Sequence, residues 1–219
     1  MSVAQPLART VAQRLARIFA RCVTLVTVRE PRLWPVLRGA MAWQFDRLAP
    51  TWDTIIGTPD HLAPLEAALD SLPAAPTRIL DIGTGTGAAA FNLARRYPDA
   101  EVVGVDVAPR MIDKARRNVD PAVADRVTLE VGDASSLRFA DAAFDLVTLV
   151  NAIPFFDELG RVVAPNGYVV FSFSSGAETP IYVPPERLER ELRARGFTQF
   201  ATFSTGRGRA FLARKTRAA

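Results

Sequence analysis

From residue 77 onward, short apolar runs alternate with amphipathic stretches, and this alternation most limits what the chain can fold into. "RILDI" (78–82), "EVVGVDV" (101–107), "RVTLEVGD" (126–133), "FDLVTLV" (144–150) and "YVVFSFS" (168–174) read as strands. The near-continuous apolar character of "FDLVTLV" and "YVVFSFS" is that of strands buried on both faces. "AAAFNLARRY" (88–97), "PRMIDKARRNV" (109–119) and "PERLERELRARG" (185–196) read as helices, with Pro109 in a first turn and Gly196 as a stop. Strand–helix alternation predicts a mostly parallel sheet with helices on both faces. The end, "FTQFATFSTGRGRAFLARK", reads as two strands joined at Gly206-Arg207-Gly208. A parallel crossover needs about a dozen residues, so one late strand must be antiparallel. The expected fold is α/β, a three-layer sandwich on a seven-stranded, mostly parallel sheet with an antiparallel last strand.

The first 72 residues read differently and are expected to form a helical cap, with the main domain at 73–219 beyond the linker "PAAP". Residues 30–60 carry Pro31, Pro35, Pro50 and Pro59 and all three tryptophans, Trp34, Trp43 and Trp52; short helices with proline joints are expected. A further helix is expected over 60–72, with Pro59 and Asp60 at its start. Residues 1–29 hold five arginines and no acid, and Leu7, Val11, Leu15, Ile18, Phe19 and Cys22 recur at helical spacing. The apolar stretch from Cys22 to Val28 is too short to span a bilayer. Three placements stay open for this helix: a cap on the main domain, peripheral contact with an anionic membrane, or a targeting segment.

The net charge of +4 and pI near 9.8 rest almost entirely on arginine. A solvated basic surface explains this better than a nucleic-acid footprint. Cys22 is the only cysteine and His61 the only histidine. No internal disulfide and no cysteine-based metal site can form, so no metal is expected, and a reducing, cytoplasmic setting is the simplest inference.

"ILDIGTGTGA" (79–88) ends the first strand in a glycine cluster. Gly83, Gly85 and Ala88 fit a dinucleotide fingerprint, whereas Gly83, Gly85 and Gly87 fit the turn of S-adenosylmethionine (SAM) enzymes. Either way, glycines let the backbone approach a ligand closely, and the next helix presents free N–H groups. In open parallel sheets ligands sit at the carboxyl ends of strands. Asp106, ending the second strand, suits the ribose hydroxyls of either cofactor. Asp133, ending the third, could accept from an adenine amine, and Asn151 ends the fourth.

Several segments together resemble class I SAM-dependent methyltransferases of the small-molecule, quinone-biosynthesis-like group. They are "ILDIGTGTG", "VVGVDVAPRMIDKAR", "VGDASSLRFADAAFDLVTLV" and "RVVAPNGYVVFSF", with "FDRLAPTWD" (45–53) in the cap. The resemblance implies a Rossmann-like fold with SAM as cofactor. Asp81 would help hold its ammonium group. Gly83, Thr84, Gly85 and Gly87 would line its amino-acid part, and Asp106 its ribose. Val107, Asp133 and Ala134 would meet adenine, and Asn151 would sit near the reacting centre. Asn166 stands where glycine is common, and asparagine tolerates the left-handed backbone a turn there needs. The stretch from Asn151 to Gly167 leaves room for only one or two helical turns.

Methyl transfer from a sulfonium is an in-line displacement, so the protein mainly aligns the acceptor and excludes water. Asn151, Asp157, Tyr182 and His61 are the candidates for a catalytic role, without a spacing signature among them. The aromatics Trp43, Phe45, Trp52, Phe155, Phe156 and Tyr182 could form an apolar acceptor pocket. The expected partner is a small apolar or aromatic molecule. A nicotinamide-dependent oxidoreductase and a non-catalytic SAM-fold binding protein are the alternatives.

Overall fold

The computed structural model describes residues 4–57 and 60–216, with side chains from residue 14 onward. One sheet contains β1 (Arg78–Ile82), β2 (Glu101–Asp106), β3 (Val127–Val131), β4 (Phe144–Val150), β5 (Val163–Phe173), β6 (Phe197–Thr205) and β7 (Gly208–Lys215). Among the described residues the helices are α1 (Ala4–Arg29), α2 (Trp34–Leu48), α3 (Trp52–Ile56), α4 (Ala63–Leu69), α5 (Ala88–Arg96), α6 (Pro109–Asn118), α7 (Phe156–Val162) and α8 (Pro185–Arg193).

The strand order is β3-β2-β1-β4-β5-β7-β6. It reverses between β1 and β4, the place where an open α/β sheet leaves a crevice at its carboxyl edge. β7 runs antiparallel to both its neighbours, β5 and β6, as the short turn demands. β5 begins at Val163, earlier than its apolar run suggests, because Val163 pairs with Phe144 across a register shift. Asn166, inside that stretch, takes φ 67°.

Side-chain alternation along the strands divides the interior into two layers. Ile79 and Leu146 pack with Leu65, Leu93 and Ile112 of α4, α5 and α6. Leu80, Ile82 and Val147 pack instead with Leu159 of α7 and Leu188 of α8. Fully burying one such aliphatic side chain stabilises the fold by about 1.5–3 kcal/mol.

α1 and α2 form a hairpin, where the Gln44 amide donates to the Ala16 carbonyl at 3.3 Å. α2 is longer than the prolines suggest. Pro35 lies in its first turn, where a missing N–H costs no bond. The expected helix over 60–72 is confined to α4, with Pro64 in its first turn; Pro59 lies outside the described residues, as do the side chains of Leu7 and Val11. No described helix is long and apolar enough to cross a membrane.

"FDRLAPTWD" fastens this hairpin to α6. Asp46 accepts the Arg110 backbone N–H at 2.8 Å in the first turn of α6. Lys114 donates to the carbonyls of Ala49 and Pro50 at 2.9 and 3.1 Å and pairs with Asp53 at 2.9 Å. Ala49 is buried against Ala108 and Met111. Hydrogen bonds to a charged group are worth about 1.5–3 kcal/mol net. Lys114→Ala should therefore loosen the cap by about 2 kcal/mol, seen as faster amide exchange across 34–57, while exchange in β1 and β4 stays unchanged.

Candidate active site

The glycine turn after β1 is closed by its neighbour strand. The N–H groups of Gly83 and Thr84 both donate to the Val105 carbonyl, at 2.8 and 3.1 Å. The Gly85 N–H donates to Asp106 Oδ2 at 2.9 Å. Gly83, Gly85 and Gly87 all have positive φ. At Gly83 the requirement is double: φ is +70°, and a Cβ would lie 2.6 Å from that of Ala152. The Ala152 methyl group, just beyond β4, thus packs directly on the turn.

Asp106 spends both oxygens on this frame, since Oδ1 accepts the Ala108 N–H at 2.9 Å. Burial pushes its carboxyl up to about 6, against the backbone hydrogen bonds, and the charge of Asp46 adds to the rise. Asp81 lies opposite Thr148 in the parallel β1–β4 register, and the Thr148 hydroxyl donates to its Oδ1 at 2.8 Å. Asp81 is 1% exposed, and its Oδ2 is buried with no hydrogen-bond partner among the described residues. Burial raises its carboxyl to about 6 as well. A buried carboxylate oxygen without a donor costs free energy unless a cation or donor reaches it.

These residues floor one cavity. Asp81, Gly83, Thr84, Gly85, Asp106 and Asn151 supply its polar side, and Val107, Gly132 and Ala134 continue it. Apolar lining comes from Trp34, Met41, Phe45 and Trp52 of the cap, with Phe155 and Ile181 from the segments after β4 and β5, which cluster with Trp34 and Met41. Trp34 and Phe155 meet edge to face at 5.2 Å, as do Phe45 and Trp52 at 5.5 Å. Gly87 stands behind the floor and starts α5, with φ +92° and the Phe91 ring where a Cβ would point.

Other candidates fall differently. Asn151 lines the cavity, but its side chain is engaged with β5's exit. Its amide donates to Ser174 Oγ at 3.0 Å, and its carbonyl accepts the Ser174 N–H at 3.1 Å. This fits its left-handed φ of 51°. His61 lines the cavity half-buried rather than standing free at a helix start, and burial lowers its pKa, leaving the imidazole neutral at neutral pH. Asp157 is far from this role: its side chain is 89% exposed and pairs with Arg195. Tyr182 lies outside the lining and packs on Phe173, and burial raises its phenol. Trp43 faces solvent, and Phe156 belongs to the core beneath α7.

Asp133 is held by the cap. Its Oδ1 accepts Trp34 Nε1 at 2.8 Å and the Ser135 N–H at 2.9 Å, and its Oδ2 accepts Arg38 at 3.0 Å. Burial alone would raise this carboxyl; the bonds from Ser135, Trp34 and Arg38 outweigh it and hold it below the usual range. The expected adenine acceptor therefore bonds to α2 in this structure, while its neighbours Gly132 and Ala134 face the cavity. Neither Trp34 nor Arg38 was singled out as a site residue by sequence. The density of tryptophan in the cap was the only signal pointing to them.

Residues 79–167 match a methyltransferase-domain family. The demethylmenaquinone methyltransferase of Thermus thermophilus is 41% identical over 137 residues, covering 58% of this chain and 62% of that one. The malonyl-[acyl-carrier protein] O-methyltransferase of Halorhodospira halophila is 35% identical over 150 residues, covering 65% of this chain and 50% of the relative. The chain thus spans between half and two thirds of the length of these curated relatives. A SAM-dependent methyltransferase from Aquifex aeolicus shares the fold, with a TM-score of 0.62 and 17% identity over 75% of this chain and 97% of that one.

Trp34→Phe keeps an aromatic, though smaller, side chain and removes the donor to Asp133. The variant should lose about 1–2 kcal/mol of stability in urea unfolding at neutral pH. A depressed carboxyl stabilises above its unfolded pKa, and that gain is lost as pH falls through the folded value. The difference between variant and parent should accordingly shrink at acid pH.

Proposed function

We propose, from the premise that this chain carries a class I SAM-dependent methyltransferase domain, that it binds SAM on the polar floor and methylates a small apolar or aromatic molecule under the cap. The observation that carries this is the division of one cavity into a polar side and an aromatic side. When bound, SAM supplies a methyl group already activated on a sulfonium.

The residues present fit that cofactor. Asp81 offers a buried, unpartnered carboxylate oxygen, which suits an ammonium group. Gly83 and Gly85 line the cavity in left-handed backbone conformations and so present main chain rather than side chains to a ligand. Asp106 borders the same floor, and each of its oxygens, holding one backbone N–H, can accept a second bond from a ribose hydroxyl; Val107 and Ala134 would lie against adenine. Trp34, Met41, Phe45 and Phe155 would bury an apolar acceptor and keep water from it. Where an acceptor must lose a proton, His61 is the neutral base on the cavity wall. Asp157 and Tyr182 have no part in this reading. The nicotinamide alternative is not favoured, because both the matched domain and the curated relatives are methyltransferases. The non-catalytic alternative predicts SAM binding without turnover of any acceptor.

Two measurements test the reading. Incubating the protein and SAM with an apolar metabolite extract should yield a product heavier by one methylene group, and turnover of no acceptor would favour the non-catalytic alternative. Asp81→Asn should weaken SAM binding in calorimetry by about 10- to 100-fold, the worth of one charge-assisted hydrogen bond. The same substitution should stabilise the unliganded protein at pH 7.5. A carboxyl raised to about 6 stabilises fully below its unfolded value, and that contribution is lost as pH rises through about 6. For the parent protein, SAM affinity should fall as pH drops below about 6, and less so in Asp81→Asn.

A further inference from the structure

The cap hairpin carries apolar side chains on both of its faces, one packed on the domain and one exposed. On α1, Ala20, Val23, Thr24 and Thr27 are buried against the domain, and Phe19 and Val28 pack beside them. A second apolar stripe points the other way. Leu15 and Ile18 are 62% and 59% exposed, and Cys22, Leu25 and Val26 continue the same stripe at three- and four-residue steps. α2 is likewise apolar on both faces. Trp34 and Met41 are buried, whereas Val36 and Trp43 on the opposite face are 80% and 61% exposed. Contiguous exposed apolar surface on a soluble domain marks an interaction site.

Charge selects the occupant. Residues 1–29 contain no acid. Arg17 and Arg21 turn to the carbonyls of Glu178 and Thr179 and fasten α1 to the domain. Arg14, Arg29 and Arg32 remain exposed along the hairpin. On α2, the exposed Arg47 guanidinium stacks 4.8 Å above the Trp43 ring. An apolar stripe flanked by arginines, with a tryptophan at its edge, has the composition of a helix lying in a bilayer interface. A second copy of the chain would bring the same positive charge against itself, which opposes pairing.

We propose that the outer face of the α1–α2 hairpin docks on an anionic lipid surface, with Leu15, Ile18, Val36 and Trp43 entering the interface and Arg14, Arg29 and Arg47 meeting the headgroups. This rests on the outer face alone and not on the methyl-transfer reading. Trp34 and Met41, on the inner face of the same α2, line the cavity. Docking would therefore set the roof of the cavity against the membrane and shorten the path of an apolar acceptor into it.

The full chain, without SAM or acceptor, is sedimented with vesicles of phosphatidylcholine alone or with one third phosphatidylglycerol. Binding is expected to the anionic vesicles only and to weaken with added salt. The Leu15→Glu/Ile18→Glu double variant should bind at least tenfold more weakly. Arg14→Gln/Arg29→Gln should lower binding to anionic vesicles without altering the melting temperature. Trp43→Ala, with its side chain already in solvent, gives a third variant if either pair fails to fold. Absence of binding to anionic vesicles, or parental binding by the folded variants, overturns the proposal. So does a concentration-dependent dimer in sedimentation velocity that Leu15→Glu/Ile18→Glu abolishes, since it would assign the stripe to a second copy.

Discussion

The carboxylate of Asp106 joins two turns that must coexist at one sheet edge. One oxygen holds the Gly85 amide in the glycine turn after β1; the other holds the Ala108 amide before α6. Much else hangs on that pair of bonds. The glycine turn is kept tight enough for Ala152, beyond β4, to pack against Gly83. α6 begins at a fixed place, so Asp46 can cap it and Lys114 can reach back to Ala49 and Pro50. The cap's position over the cavity therefore traces to a carboxylate at the end of β2. The cost is a half-buried acid whose desolvation raises it to about 6, tolerated because two backbone donors face it.

Much of the sheet was legible in sequence because strands buried on both faces leave continuous apolar runs. The antiparallel β7 followed from the length of one turn. The start of β5 was not legible: Val163 joins the sheet through tertiary pairing with Phe144, behind the Pro165–Gly167 stretch that reads as a turn. The unbroken length of α2 was hidden for a related reason, since a proline breaks a helix only when it stands beyond the first turn.

The site divides the same way. Residues at strand ends could be found from the strands, and Asp81, Gly83, Thr84, Gly85, Asp106 and Asn151 do share one cavity. Contacts between distant segments could not. Nothing local shows that Trp34 reaches Asp133, nearly a hundred positions away, or that Asn151 turns its amide to Ser174. Asp157 and Tyr182 illustrate the reverse error. Each lies near a strand end in sequence, yet packing sends one to solvent beside Arg195 and the other against Phe173.

The two walls of the cavity come from separate stretches of chain. The polar floor is written in residues 81–151, within the sheet's own hydrogen-bonded frame, whereas much of the aromatic roof is written in residues 34–52. The roof is held to the frame by Asp46, by Lys114 and by the bonds of Trp34 and Arg38 to Asp133, while Phe45 and Trp52 pack beside Ala108 and Met111. Substitution at Met41, which makes no hydrogen bond to the floor, would therefore reshape the roof while the bonded floor stays as it is. The volume of the cavity and the integrity of its floor are set by different residues.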